Sequence, residues 1–262
     1  MLKDPGNSAF VSARSGIAGI RSIVRTYPGL REIGIFLAAL LAYQASRALV
    51  VGDTSTAFEN ATGVVELEKS YGLFFELSIQ RWALANLELV EVLNYFYLSA
   101  HWIVTTLFFV WLWFNRRGVY PYVRNAFLVA NGIALAVFMV YPVAPPRMLT
   151  GAGFIDTIHS VSDVDLHGGV LSGLFNPYAA VPSMHFGYAI MIGLVAMWLI
   201  RSWPLKVLAL AYPVIVFLTI VGTANHYVID AVAGFVVVAL GFAAIAVWTR
   251  VRGRPIRAAS EA

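Results

Sequence analysis

The sequence predicts an all-α membrane protein: a six-transmembrane helix bundle with extra amphipathic helices at the interface. Three observations predict it. The 262 residues are 60% hydrophobic and 12% charged, with a mean hydropathy of +0.75. A soluble domain carries about 25% charged residues and could not hide so much apolar surface, so lipid is the expected solvent for much of the chain. Six apolar segments are each long enough, at about 20 residues, to cross a bilayer. They fall near 33–52, 91–114, 123–142, 183–201, 204–222 and 226–249. The basic residues then divide between the connections in a strongly one-sided way.

Ahead of the first span, residues 9–25 set Phe10, Ile17, Ile20 and Val24 at near-helical spacing beside Arg14, Arg21 and Arg25. This reads as a basic amphipathic helix on a membrane surface or as a basic tail without fixed structure. The first apolar run begins near Ile33 and no small-residue cleavage site follows it, so a cleaved leader is not expected. Lys3, Arg14, Arg21, Arg25 and Arg31 precede span one. Arg116, Arg117 and Arg124 lie between or beside spans two and three. Arg201 and Lys206 separate spans four and five, and Arg250, Arg252, Arg254 and Arg257 follow span six. Fourteen of the 18 Lys and Arg residues thus share one side, while Lys69, Arg81 and Arg147 fall opposite and Arg47 lies inside span one. The positive-inside rule puts both termini in the cytoplasm, and segments 53–90 and 143–182 and the 222–226 turn outside or in the lumen of an organelle. The membrane expected is the plasma (cytoplasmic) membrane. The chain then divides into a basic segment (1–32), a membrane domain (33–250) and a basic tail (251–262). Segment 53–90 mixes Glu59, Glu66, Glu68, Glu76 and Glu88 with Val, Leu, Phe and Trp, which reads as interfacial helices that roof a site or simply pack on the bundle. The absence of cysteine removes disulfides, thiolate metal sites and cysteine nucleophiles.

Three polar motifs meet on this topology. "APPR" (144–147) follows span three, "VPSMH" (181–185) opens span four, and "NHYVID" (225–230) opens span six. His185 and His226 are 41 positions apart, which is two crossings of about 30 Å at about 1.5 Å per residue. Arg147, Ser183, His185 and His226 therefore share one membrane face at similar depth. Arg147 suits bidentate contact with phosphate oxygens. Pro182 suits the first turn of a helix, and the Ser183, Met184 and His185 amides behind it suit an anion. Asp230 lies one turn beyond His226, so its carboxylate can fix the imidazole tautomer and leave the other ring nitrogen to attack phosphorus. His185 is then the second proton-handling group.

"YPVAPPR", "NPYAAVPSMHFGYA" and "TANHYVIDAVAG" resemble the motifs of the type-2 phosphatidic acid phosphatase superfamily, and most closely its branch containing inositol phosphorylceramide synthase. The upstream "NYFYLSAH" and the Glu-rich segment before it are similar to that branch too, and the likeness runs from about residue 40 to 245. The resemblance implies a six-helix bundle, a phosphohistidine intermediate and no metal or other cofactor. It implies His226 as nucleophile, Asp230 as its orienting partner and His185 as acid and base. The substrate expected is a membrane lipid phosphate, with water or a polyol or sugar hydroxyl as acceptor; no nucleic-acid partner is expected. Alternatives are a polyprenyl diphosphate phosphatase and a non-catalytic protein that binds or moves a lipid phosphate.

The sequence departs from the superfamily pattern where Val140 replaces a Lys, Met148 follows Arg147, Met184 replaces a Gly, and Thr219-Ile220 replace Ser-Arg. Two phosphate-binding cations are missing, and Arg47 is a candidate to supply charge, or else it snorkels to the interface. Asn94, Tyr97 and His101 share one face of span two. With Asn225 they could bind an acceptor or head group, and His101 could equally be a neutral, hydrogen-bonded core residue. The loop "HSVSDVDLH" (159–167), with Asp156, could ligate a divalent cation or form a solvated lid. Asn60-Ala-Thr matches a glycosylation sequon.

Overall fold

The computed structural model describes residues 26–49, 54–162, 164 and 176–253, with side chains left out for 45–49. The described residues form nine α-helices and no strand. These are α1 (Pro28–Leu49), α2 (Thr54–Ser70), α3 (Glu76–Leu84), α4 (Leu87–Asn115), α5 (Tyr120–Val140), α6 (Thr157–Ser160), α7 (Met184–Leu199), α8 (Trp203–Gly222) and α9 (Val228–Val251). The chain divides into two compact units, one through Ser46 and one from Arg47. The first holds most of α1; everything below concerns the second.

Four helices, α4, α5, α8 and α9, are long and apolar enough to cross a membrane, and α7 is a shorter apolar helix of 16 residues. The expected spans coincide with helices, with ends displaced by a few residues. Only 22–39% of the most apolar window in each of the four is buried. Leu107, Phe114, Val140, Leu208, Leu240 and Val247 instead point outward, so the bundle is clad in apolar side chains that need lipid. Within the unit, α7 packs on α8 and α9, α9 on α5, and α8 on α3 and α4.

Local signals start the helices where the bundle needs them. Asn86 accepts from the Leu89 amide to begin α4, and Ser183 accepts from the Phe186 amide to begin α7. The two helices of the Glu-rich segment are amphipathic. In α2, Ala57, Ala61, Val64, Val65 and Glu68 form the buried stripe, and in α3 it is Glu76, Gln80 and Ala83. Gln80 exchanges two hydrogen bonds with the Ile155 backbone, at 2.7 and 3.2 Å. This fastens α3 to the loop after α5.

The loops at this end of the bundle are sewn together through backbone groups. Val143 and Ala179 form an isolated parallel bridge, with Val143 N–H donating to Tyr178 O and Ala180 N–H to Val143 O. Ala144 N–H donates to Ala57 O in α2, and Arg147 N–H to Ala224 O in the α8–α9 turn. That turn passes through Ala224, a buried alanine in the left-handed region at φ 54°. The strained residue lets the Asn225 and His226 amides both fold back onto Ile220 O. Asn60 donates to Pro142 O at 2.9 Å, so the amide of the sequon is a packing bond.

Candidate functional site

His226 lies in the α8–α9 turn, two residues before α9 begins. This corrects the expectation that His226 and Asp230 sit on one face of a helix. Tyr227 is the N-cap and Asp230 the third helical residue, so the carboxyl reaches back past the end of the helix. Its Oδ2 accepts from the Tyr227 amide at 2.9 Å and lies 3.1 Å from His226 Nδ1. Nδ1 is also 2.9 Å from the Ala180 carbonyl oxygen. A carbonyl only accepts, so Nδ1 carries the proton and the lone pair of the neutral ring is on Nε2. Burial, reinforced by the positive charge of Arg147 and opposed by the bond to Ala180, pushes the imidazole down to about 4. The ring is neutral at neutral pH.

His185 stands in the first turn of α7, where Ser183 N–H donates to Asp230 O at 2.9 Å and locks the starts of α7 and α9 together. The two histidine rings are 5.7 Å apart between centroids. Two α4 residues complete the cluster: Tyr97 stacks on His185 at 4.3 Å and His101 meets its edge at 4.1 Å. The buried His185 Nε2 has no hydrogen-bond partner among the described residues. Arg147 is buried in the short 3₁₀ turn after α5. Its Nε donates to Asn225 Oδ1 at 2.9 Å and its Nη1 to Asp156 Oδ2 at 3.1 Å. Asp156 in turn caps α6 through the Ile158 and His159 amides.

The structure therefore brings His226, Asp230, His185, Arg147, Asn225, Tyr97 and His101 together. Several finer expectations change. Pro182 precedes the N-cap instead of occupying the first helical turn, and the Ser183 amide is spent on Asp230, so it cannot join Met184 and His185 in an anion site. Asn94 is fully committed elsewhere: it donates to Thr157 O and Ser162 Oγ and accepts from Thr157 Oγ1, all within 2.9 Å. Its role is to pin the 157–162 segment onto α4. Asn225 likewise spends its amide on Arg147 and Thr223. The Arg47 side chain lies outside the described residues, as do Asp163, Asp165 and His167 of the cation-site alternative. His159 is exposed and Asp156 faces Arg147, and no group of three His, Cys, Asp or Glu among the described residues could hold a metal.

Sequence reasoning missed three carboxyl groups with defined partners. Asp156 was considered only for metal. Glu68 and Glu76 are both fully buried, and their Oε1 atoms accept from the Ile229 and Val228 amides at 2.8 and 3.0 Å. A signal was present: Glu68 continues the Ala57, Ala61, Val64 stripe of α2, so a charged residue stood in an apolar register.

Fold and site together define an all-helical membrane protein with a buried His–Asp pair, a second histidine and an arginine at one end of its bundle. A family model described as the PAP2 superfamily matches residues 62–244, and the chain belongs to that superfamily. No curated protein and no solved structure matches it. Membership brings phosphatase-type chemistry.

Proposed function

We propose that the chain is an integral membrane lipid phosphatase or phosphotransferase that works through a phosphohistidine on His226, without a metal. The observation that carries this reading is the environment of His226. Nδ1–H is held by Ala180 O and Asp230 Oδ2, which directs the Nε2 lone pair away from them, with Arg147 and His185 close by. Nε2 attacks phosphorus and the bond to the lipid oxygen breaks, while His185, kept protonated by the phosphate dianion, gives its proton to that oxygen. His185 then takes a proton from water or from a polyol or sugar hydroxyl, whose oxygen displaces Nε2 from phosphorus. Asp230 stabilises the charge that develops on His226. Arg147 holds phosphate oxygens with the guanidinium nitrogen not spent on Asn225 and Asp156. Tyr97 and His101, packed on His185, stand where the leaving or accepting group would lie.

In this reading α1 and α7 complete six spans with α4, α5, α8 and α9. The charge distribution supports cytoplasmic termini and an extracytoplasmic site under α2 and α3. The motif variants favour head-group transfer of the inositol phosphorylceramide synthase kind. The test is a labelled-lipid assay over lipid monophosphates and diphosphates, with and without inositol or glycerol. Transfer yields a new phosphate monoester of the added inositol or glycerol and hydrolysis yields free phosphate; His226→Ala is expected to lose both. Turnover that survives His226→Ala would overturn the proposal.

A further inference from the structure

Three consecutive amides at the start of α9 are each taken by a carboxyl group from a different helix. Asp230 of α9 itself holds Tyr227 N–H, Glu76 of α3 holds Val228 N–H, and Glu68 of α2 holds Ile229 N–H. The α2 and α3 segment is therefore fastened to the residues that immediately follow His226. Glu68 and Glu76 each have one oxygen, Oε2, that is buried and has no partner among the described residues. Both residues are at 0% exposure. Two carboxylates buried together around adjacent amides repel each other, which favours one of them keeping its proton.

The geometry points to Glu68 and Glu76 as a carboxyl–carboxylate pair that shares one proton between their Oε2 atoms and so latches α2 and α3 onto the first turn of α9. The shared proton satisfies both orphaned oxygens at once, while the Oε1 atoms stay free to accept from the helix amides. Both are positioning residues: they touch no reacting atom and act through the backbone that carries His226. The inference rests on the functional reading above only for the consequence it has for His226.

The surroundings agree on the proton. Burial pushes the Glu68 carboxyl up to about 9, helped by the neighbouring Glu76 carboxyl and by the charge of Asp230, and opposed by the Ile229 amide. Tyr227 faces the same cluster from the start of α9 and is also pushed up, first by burial and then by these acids. On α2 itself, Lys69 turns away to lie 5.0 Å over the Phe74 ring. Arg147, on the loop packed against α2, bonds Asn225 and Asp156. The folded pair keeps a proton that an unfolded Glu would lose near 4.5. Its contribution to stability is therefore full below about 4.5, declines as pH rises, and is gone above about 9, where the latch itself loses its proton.

The test uses the full chain in lipid nanodiscs. Hydrogen exchange of the 227–230 amides is followed against pH for the wild type, Glu68→Gln, Glu76→Gln and the double variant, with protection expressed relative to the free peptide rate. In the wild type, protection is expected to fall at least about tenfold as pH rises through the Glu68 transition. In either single variant the glutamine amide supplies the missing hydrogen, so protection should persist across the same range. The double variant sets two amides against each other and should be unprotected throughout, or fail to fold. Two independent carboxylates would give a different result: single variants that lose protection at neutral pH, or that retain the wild-type alkaline fall, would overturn the latch. A double variant as protected as the singles would do so as well. The readout needs no turnover, so failure of the latch and failure of the catalytic reading are distinguishable.

Discussion

At Gly234, α9 crosses the start of α7 with no room for a side chain, which makes Gly234→Ala a direct test of how the two histidine-bearing segments are held. A Cβ there would lie 2.2 Å from Ser183 O and 3.1 Å from Ser183 C, against an ordinary contact of 3.4 Å or more. Both neighbours are backbone atoms of the α7 N-cap, so no rotamer change relieves the clash. The two helix starts must part by about 1 Å. That movement stretches the 2.9 Å Ser183 N–H bond to Asp230 O and carries His185 away from His226. A misplacement of about 1 Å between reacting groups costs about 10²-fold in rate, and overpacking of this kind costs about 1–3 kcal/mol in stability. The assay is turnover of a lipid phosphate by purified protein, with thermal unfolding in the same detergent. Gly132→Ala is the control, since nothing lies within 4 Å of that position, and an alanine in a helix interior should be neutral or gain about 0.5–1 kcal/mol. A Gly234→Ala protein with wild-type turnover and unchanged unfolding would refute the reasoning.

Other outcomes follow from the same geometry. Because His226 is held neutral down to about 4 rather than 6.5, the acid limb of kcat/KM should fall near 4. The stability tied to this group is present above 6.5 and is lost as pH drops towards 4, and Arg147→Ala should move the limb upward. An acid limb centred near 6.5 would contradict the assignment. Arg147→Lys cannot bond Asn225 and Asp156 and still offer a further nitrogen to phosphate, so KM for the lipid phosphate should rise about tenfold or more; unchanged kinetics would remove Arg147 from the phosphate site. Asn94→Ala leaves the Thr157 carbonyl and hydroxyl without their α4 partner, and thermal unfolding should show a loss of about 1–3 kcal/mol. KM for any acceptor should hold steady in that variant, and a rise would return Asn94 to the acceptor site.

The helices were legible because apolar runs and caps are local signals, and the grouping of Arg147, His185 and His226 was legible because spans of fixed length alternate direction. What lay between those signals was not. The two-residue offset that takes His226 off α9 depends on Ala224 entering the left-handed region, and alanine gives no hint of that. Asn94 looked like a site residue because it shares one face of span two with Tyr97 and His101, and only the tertiary contact with 157–162 shows its amide is spent. The Asp156 contact with Arg147 joins residues nine apart across a 3₁₀ turn with no sequence period of its own. Glu68 and Glu76 stand in the sequence beside Glu59, Glu66 and Glu88 as the acidic residues of interfacial helices. Their partners are backbone amides 161 and 152 residues away, and no side-chain motif marks an amide.

The central claim is that His226 carries the phosphoryl group, and the most direct measurement is rapid quenching of full-length protein with a phosphate-labelled lipid. Peptide mass spectrometry at alkaline pH, where phosphohistidine survives, then locates the label. The account expects an acid-labile phosphate on His226, formed more slowly in Asp230→Asn and in His185→Ala. Label on another residue, or turnover with no covalent label in wild type and an active His226→Ala protein, would contradict it.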